Sequence, residues 1–396
     1  MEKSQLKIIS GKLITASGII PDSTVVVSDG KIVSVNENET ETSGITIIDA
    51  KGQFISPGFI DIHVHGGGGA DFMDGTEEAF LTIAETHARY GTTAMLPTTL
   101  TGSKEQILST LAVYEKANAA NKNGAQFLGI HLEGPYLAMS QRGAQDPRFI
   151  RNPDPSEYKD ILSSYSCIRR WSAAPELPGA IEFGNYIKAK GILPAIAHTD
   201  AIYEEAADAF ENGYTLATHF YSAMSGVTRR NAFRYAGVVE AGYLIDEMDV
   251  EIIADGVHLP SPLLRLIYKI KGAHRTALIT DAMRAAAMPE GEYMLGNKNE
   301  GMKVIVEDGV AKLPDRSSFA GSVATADRLI RTLLEMTDAP LHEIIKMITA
   351  TPARILNVQD KKGSVSKGMD ADILIFDEDI NISTTLINGK IVYQKT

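Results

Sequence analysis

The sequence predicts a mixed α/β chain: a closed (β/α)8, TIM-like barrel with a small β-sandwich domain built from both termini. Three observations carry that expectation. Apolar strand candidates recur at 57–63, 92–98, 126–132, 167–174, 192–198, 214–219, 250–255 and 277–281. Helical patterns with start and stop signals separate most of them, and eight such units are the count of a closed barrel rather than an open sheet. Both ends instead carry short alternating strands broken by tight-turn residues. The expected division is a β domain of residues 1–56 and 359–396 around a barrel of residues 57–358.

At the N-terminal end the alternation gives strands at 6–9, 12–15, 23–28 and 31–35, with a turn at Asp29-Gly30. The first barrel strand runs into Pro57-Gly58-Phe59-Ile60-Asp61-Ile62-His63-Val64-His65-Gly66. Residues i and i+2 of a strand share a face, so His63 and His65 project together. Two imidazoles at a strand end make half a site for a divalent metal. The glycines at 66, 67, 68 and 69 are expected to let a ligand approach the backbone. Taken alone, the pair fits two polar residues closing a strand equally well. Helix 75–90 opens at Thr76-Glu77-Glu78 and stops at Gly91; helix 104–120 opens at Ser103, and helix 201–212 stops at Gly213. The C-terminal strands fall at 372–376, 382–387 and 390–393, with a turn at Asn388-Gly389.

Composition narrows the function. A chain of 396 residues with 44% hydrophobic and 22% charged side chains has the make-up of a soluble globular protein. Its net charge of -12 argues against nucleic-acid binding, and an anionic substrate needs a local basic cluster. Cys167 stands alone, which excludes an internal disulfide and suits the reducing cytoplasm. No apolar run is long enough to span a membrane, and residues 1–17 hold no signal-peptide core.

Chemistry gathers at the C-terminal ends of the strands, where barrel enzymes keep their catalytic groups. Those ends supply His63 and His65, Glu133 in His131-Leu132-Glu133-Gly134-Pro135, His198, His219, Asp255 with His258, and Asp281. Any one of these is an ordinary polar loop residue. Together they crowd buried charge onto one rim, which is costly unless a cation sits among them. His87, His274 and His342 fall away from that rim, and for His131 a structural role is the simpler reading.

These motifs, with Thr280-Asp281-Ala282-Met283 and Ala320-Gly321-Ser322, resemble the amidohydrolase superfamily, most closely its N-acetylglucosamine-6-phosphate deacetylase family. The resemblance runs from residue 57 to 322 and extends to the β-rich ends. It implies hydrolysis of the N-acetyl amide of an amino sugar phosphate by a cytoplasmic homodimer. It also implies one or two divalent ions, of zinc, iron, manganese or cobalt. One is held by Glu133, His198 and His219; the second, in members that keep the histidine pair, by His63 and His65 with Glu133 bridging. Asp281 matches the catalytic aspartate that takes a proton from water and returns it to the departing amine. His258 matches a substrate-binding histidine.

Three departures from the family stand out. Gln145 in Gly143-Ala144-Gln145-Asp146-Pro147 replaces a sugar-contacting histidine, and Ser222-Ala223-Met224 replaces Asn-Ala-Met. The phosphate-binding arginine, which reaches a neighbouring subunit, aligns with Arg234 counted from Gly237, or with Arg230 counted from His219. Arg234 is the expected match. The rival readings are the galactosamine epimer as substrate, a cyclic-amide hydrolase, and a non-catalytic scaffold. Glu133 stands where cyclic-amide hydrolases commonly use a modified lysine, and no ligand is missing as it would be in a scaffold.

Overall fold

The computed structural model describes residues 5–37 and 45–395; parts of the expected terminal domain, residues 1–4, 38–44 and 396, lie outside the described residues. The two ends of the chain meet in one eight-stranded sheet. Gln5–Thr15, Gly18–Ser28, Lys31–Val35, Thr46–Asp49 and Phe54–Pro57 come from the start, and Ile373–Phe376, Ile382–Ile387 and Lys390–Gln394 from the finish. Ile373–Phe376 lies antiparallel to Phe54–Pro57 and joins the two sets. The strands expected at 6–9 and 12–15 are a single strand that changes partner midway. Leu6 to Ile9 pair with Thr46–Asp49, whereas Lys12 and Leu13 pair with Phe54 and Ile55. The two turns are of the kind expected: Asp29 and Gly30 have φ of 51° and 76°, Asn388 and Gly389 of 48° and 72°. Positive φ at both central residues suits the right-handed twist of the flanking strands. Leu6, Ile8, Val25, Ile55, Ile373 and Leu386 share one apolar core drawn from both ends.

The middle of the chain closes into a parallel barrel. Its strands are β1 (Phe59–Val64), β2 (Thr92–Thr99), β3 (Ile130–Glu133), β4 (Ile168–Ala173), β5 (Leu193–Ile196), β6 (Leu216–Ala217), β7 (Asp249–Ile252) and β8 (Thr276–Leu278). Each pairs with the next in chain order. Just past β8, Ala282 forms a parallel bridge with Val64, and Asp281 N–H donates to His63 O at 2.9 Å. That pairing closes the ring. Helices pack outside, with the signals read from sequence in place: Thr76 caps Glu77–Ala88, and Ser103 with Gln106 forms a capping box on Lys104–Ala120.

Two additions at the rim fall outside the elements expected from sequence, although Asp308-Gly309, with φ of 53° and 71°, marks a hairpin turn in the second. A hairpin of Thr228–Arg230 and Phe233–Tyr235 follows β6, and a three-stranded sheet of Gly291–Leu295, Met302–Glu307 and Val310–Lys312 follows β8. A Cβ on Gly66 would lie 2.8 Å from Arg284 N, and one on Gly67 would lie 2.7 Å from the His87 ring. The chain itself comes close there: His87 Nε2 sits 2.9 Å from Gly66 O.

Candidate metal centre

Six of the eight groups expected at the rim meet at one point. His63 and His65 stand at the end of β1, and Glu133 is the last residue of β3. His198 and His219 follow β5 and β6 by two residues, and Asp281 follows β8 by three. Each of these last three has a left-handed backbone, with φ of 46°, 32° and 47°. Such conformations cost roughly 1–3 kcal/mol each and persist only where neighbours hold them. Here Ala138 N–H bonds to His198 O, Ser222 N–H to His219 O and Asp281 N–H to His63 O, at 2.8, 2.8 and 2.9 Å.

Glu133 is the hub. Its Oε1 lies 3.0 Å from His219 Nε2 and 3.5 Å from both His198 Nε2 and His63 Nε2; its Oε2 lies 3.4 Å from His65 Nε2. Two metal-sized groups result, His63–His65–Glu133 and Glu133–His198–His219, all buried. Asp281 Oδ1 stands 3.1 Å from His65 Nε2 and 3.3 Å from His63 Nε2.

The donor chemistry fits a cation. Carbonyl oxygens only accept, so a ring nitrogen facing one carries the proton. His65 Nδ1 faces Thr98 O at 3.3 Å, His198 Nδ1 faces Gln141 O at 2.7 Å, and His219 Nδ1 faces Ser222 O at 3.1 Å. Neutral rings held so present their Nε2 lone pairs inward, where the nitrogens of His63 and His65 approach to 3.2 Å. Lone pairs that close repel unless a positive charge lies between them. Without a metal, protons must supply it. Burial disfavours charge on His63 and His65, yet Glu133 and Asp281 outweigh it and push their pKa values up to about 9 and about 10. Burial works against the ionised carboxyl of Glu133 too, but His63, His198 and His219 hold it well below the usual range.

A cavity of about 320 Å³ opens over this centre. Gln145, Ser222, Ala223 and His258 line it, as expected of substrate-contacting residues. Asp255 fixes the His258 ring through Nδ1 at 2.8 Å, and Phe319 packs on that ring at a centroid separation of 4.9 Å. Gln145 is held at both ends: Thr101 N–H donates to its Oε1 at 2.8 Å, and its Nε2 donates to Glu133 Oε2 at 2.7 Å. Arg234 lies on the exposed hairpin, outside the lining of this chain's cavity, as do Arg229 and Arg230. His131 joins neither metal group; it bridges Thr98 and Ser172 below the rim.

Sequence reasoning missed Leu100, Leu295, Ser318 and Phe319 on the cavity wall, and Arg170 and Glu251 beneath the centre. A signal existed for the last two, since each is a charged residue inside an apolar strand. None marked the wall residues as neighbours.

Fold and site together define a class: the chain belongs to the amidohydrolase family, which it matches over residues 54–392. Within that family it is 33% identical to an N-acetylglucosamine-6-phosphate deacetylase of Lysinibacillus sphaericus, over 96% of each chain. It is 30% identical to an N-acetylgalactosamine-6-phosphate deacetylase of Escherichia coli O157:H7, over 96% of this chain and 97% of that one. The crystal structure of an N-acetylglucosamine-6-phosphate deacetylase from Pasteurella multocida superposes with a TM-score of 0.91 at 28% identity, over 98% and 99% of the two chains.

Proposed function

We propose that this chain hydrolyses the N-acetyl amide of N-acetylglucosamine-6-phosphate, releasing acetate and glucosamine-6-phosphate. The observation that carries the reading is the placement of Asp281 beside two complete ligand groups at the floor of a sugar-sized cavity. Glu133, His198 and His219 would hold one divalent ion, and His63 and His65 a second with Glu133 shared; zinc, iron, manganese and cobalt all suit such donors. Bound there, a divalent ion polarises the acyl carbonyl and makes water a better nucleophile at neutral pH.

The residues do the rest. Asp281, ionised and buried, accepts a proton as water adds to the carbonyl carbon. It then delivers that proton to the amide nitrogen as the C–N bond breaks, leaving acetate and the free amine. His258, its ring fixed by Asp255, binds and orients the substrate from the cavity wall. Gln145 braces Glu133 by donating to its Oε2.

Arg234 would contact the phosphate in a second copy's cavity, making a homodimer the working unit. Its place on an exposed hairpin, away from its own chain's cavity, supports that assignment. Residues 1–56 and 359–396 would form the small β domain and 57–358 the catalytic one, a reading supported by the sheet that both ends share. Among the described residues no helix is long and apolar enough to cross a membrane, and Cys167 is buried; a cytoplasmic enzyme accords with both.

The test is acetate release from N-acetylated sugars and their 6-phosphates. Turnover of the glucosamine 6-phosphate, lost on chelation and restored by divalent ion, is the expected result. Activity confined to the galactosamine epimer would move the substrate assignment. Activity on a cyclic amide alone would overturn it.

A further inference from the structure

Barrels of this fold usually fill their lumen with branched aliphatic side chains. Here the layer under the metal centre is polar. His131 Nε2 meets Ser172 Oγ at 2.7 Å, Ser172 meets Thr218 Oγ1 at 3.2 Å, and Arg170 Nη2 donates to Thr218 Oγ1 at 2.7 Å. Arg170 then forms a two-pronged pair with Glu251, one prong at 2.8 Å and the other, from Nη1 to Oε1, shorter. Both side chains are fully buried. The other face of Glu251 looks at His63: Oε2 lies 3.6 Å from His63 Nδ1, a ring nitrogen with no hydrogen-bond partner among the described residues.

We propose that Glu251, held in place by Arg170, is the positioning residue that fixes His63 for a cation in the His63–His65–Glu133 group. The inference rests on the metal-dependent reading above. His65, His198 and His219 each face a neutral carbonyl through Nδ1; only His63, among the four imidazoles, faces a carboxylate. A carboxylate behind a ligating imidazole fixes its tautomer and makes the opposite nitrogen a stronger donor. Arg170 keeps Glu251 ionised in a dry interior and uses both of its oxygens, so the carboxylate cannot turn away. Buried ion pairs contribute little net stability and are often replaceable by apolar side chains. One kept directly behind a candidate ligand has its use there. Selectivity between the two groups follows from reach: the Glu251 carboxylate faces His63 directly, whereas Arg170 meets the other group only through the hydroxyl of Thr218, the residue before His219.

The experiment is zinc binding to the purified full-length protein, read as ions per chain by elemental analysis and as affinity by competition with a chelating dye. Glu251→Asp keeps the charge pair but withdraws the carboxylate from His63. The double change Arg170→Met with Glu251→Met removes the pair without stranding a charge, and covers the case in which the aspartate chain does not fold. In either, the second zinc should bind about 10- to 100-fold more weakly while the first is held as in wild type. Two ions held at wild-type affinity in a folded variant would overturn the inference. So would equal weakening of both, which would make the pair a general structural element. A wild-type chain that takes up only one ion overturns it while leaving the proposed reaction standing; one that takes up none overturns the reaction as well.

Discussion

The two halves of the metal centre reach the same chemistry by opposite routes. His63 lies within β1 and His65 one residue past its end, and the two-residue repeat of extended backbone brings their Nε2 atoms to 3.2 Å. His198 and His219 sit two residues past their strands in left-handed backbone, each held by main-chain bonds from a loop. Behind His63 lies a charge, Glu251; behind His65 and both members of the loop-borne pair lie carbonyls. The strand half is thus set by secondary structure and tuned from below. The loop half is set by tertiary contacts at the rim, and depends on those loops being folded. Glu133, placed between them and braced by Gln145, is the one group that both halves share.

That contrast can be broken at its hub. Glu133→Gln removes the shared charge, so both ions should be lost and deacetylation should fall below detection; elemental analysis beside the acetate assay checks this. A variant that kept one tightly bound ion would show that one half stands without the hub. Asp281→Asn is expected to do less to the metal and nearly as much to the rate. The asparagine keeps the shape but cannot take a proton, so kcat should fall about 10²- to 10⁴-fold with metal content unchanged. Loss of metal along with rate would place Asp281 inside the strand half as a ligand.

The smallest expected effect concerns Gln145. Its amide already has two partners, so Gln145→Leu should loosen Glu133 rather than change which sugar is read. A hydrogen bond to a charged group contributes about 1.5–3 kcal/mol, so kcat/KM should fall roughly 10- to 150-fold. The ratio between the glucosamine and galactosamine 6-phosphates should move by no more than about twofold, the equivalent of less than one neutral hydrogen bond. A large change in that ratio, measured with both substrates, would return Gln145 to the role of sugar reader.

Much of this site is legible along the chain because its parts are strand ends, and strand ends are marked by local pattern. The run from Phe59 to His65 announces both a strand and what its last turn-facing residues carry. The hairpin turns at Asp29-Gly30 and Asn388-Gly389 are equally local, since only a few residue types accept positive φ at both positions. What Gly66 and Gly67 accommodate is the opposite case. Those glycines make room for Arg284 and His87, which lie far along the chain and carry no signal at residue 66.

By itself, then, the sequence determined the barrel, the residues of its rim and the class of chemistry, because periodicity and capping act over a few neighbouring residues. Only the tertiary structure decided what each group faces. It turned Gln145 to brace Glu133, seated Phe319 on His258, and set Arg170 of β4 against Glu251 of β7 across the lumen, 81 residues apart. Pairings of that kind depend on which strands oppose each other once the ring has closed, and no local pattern encodes that.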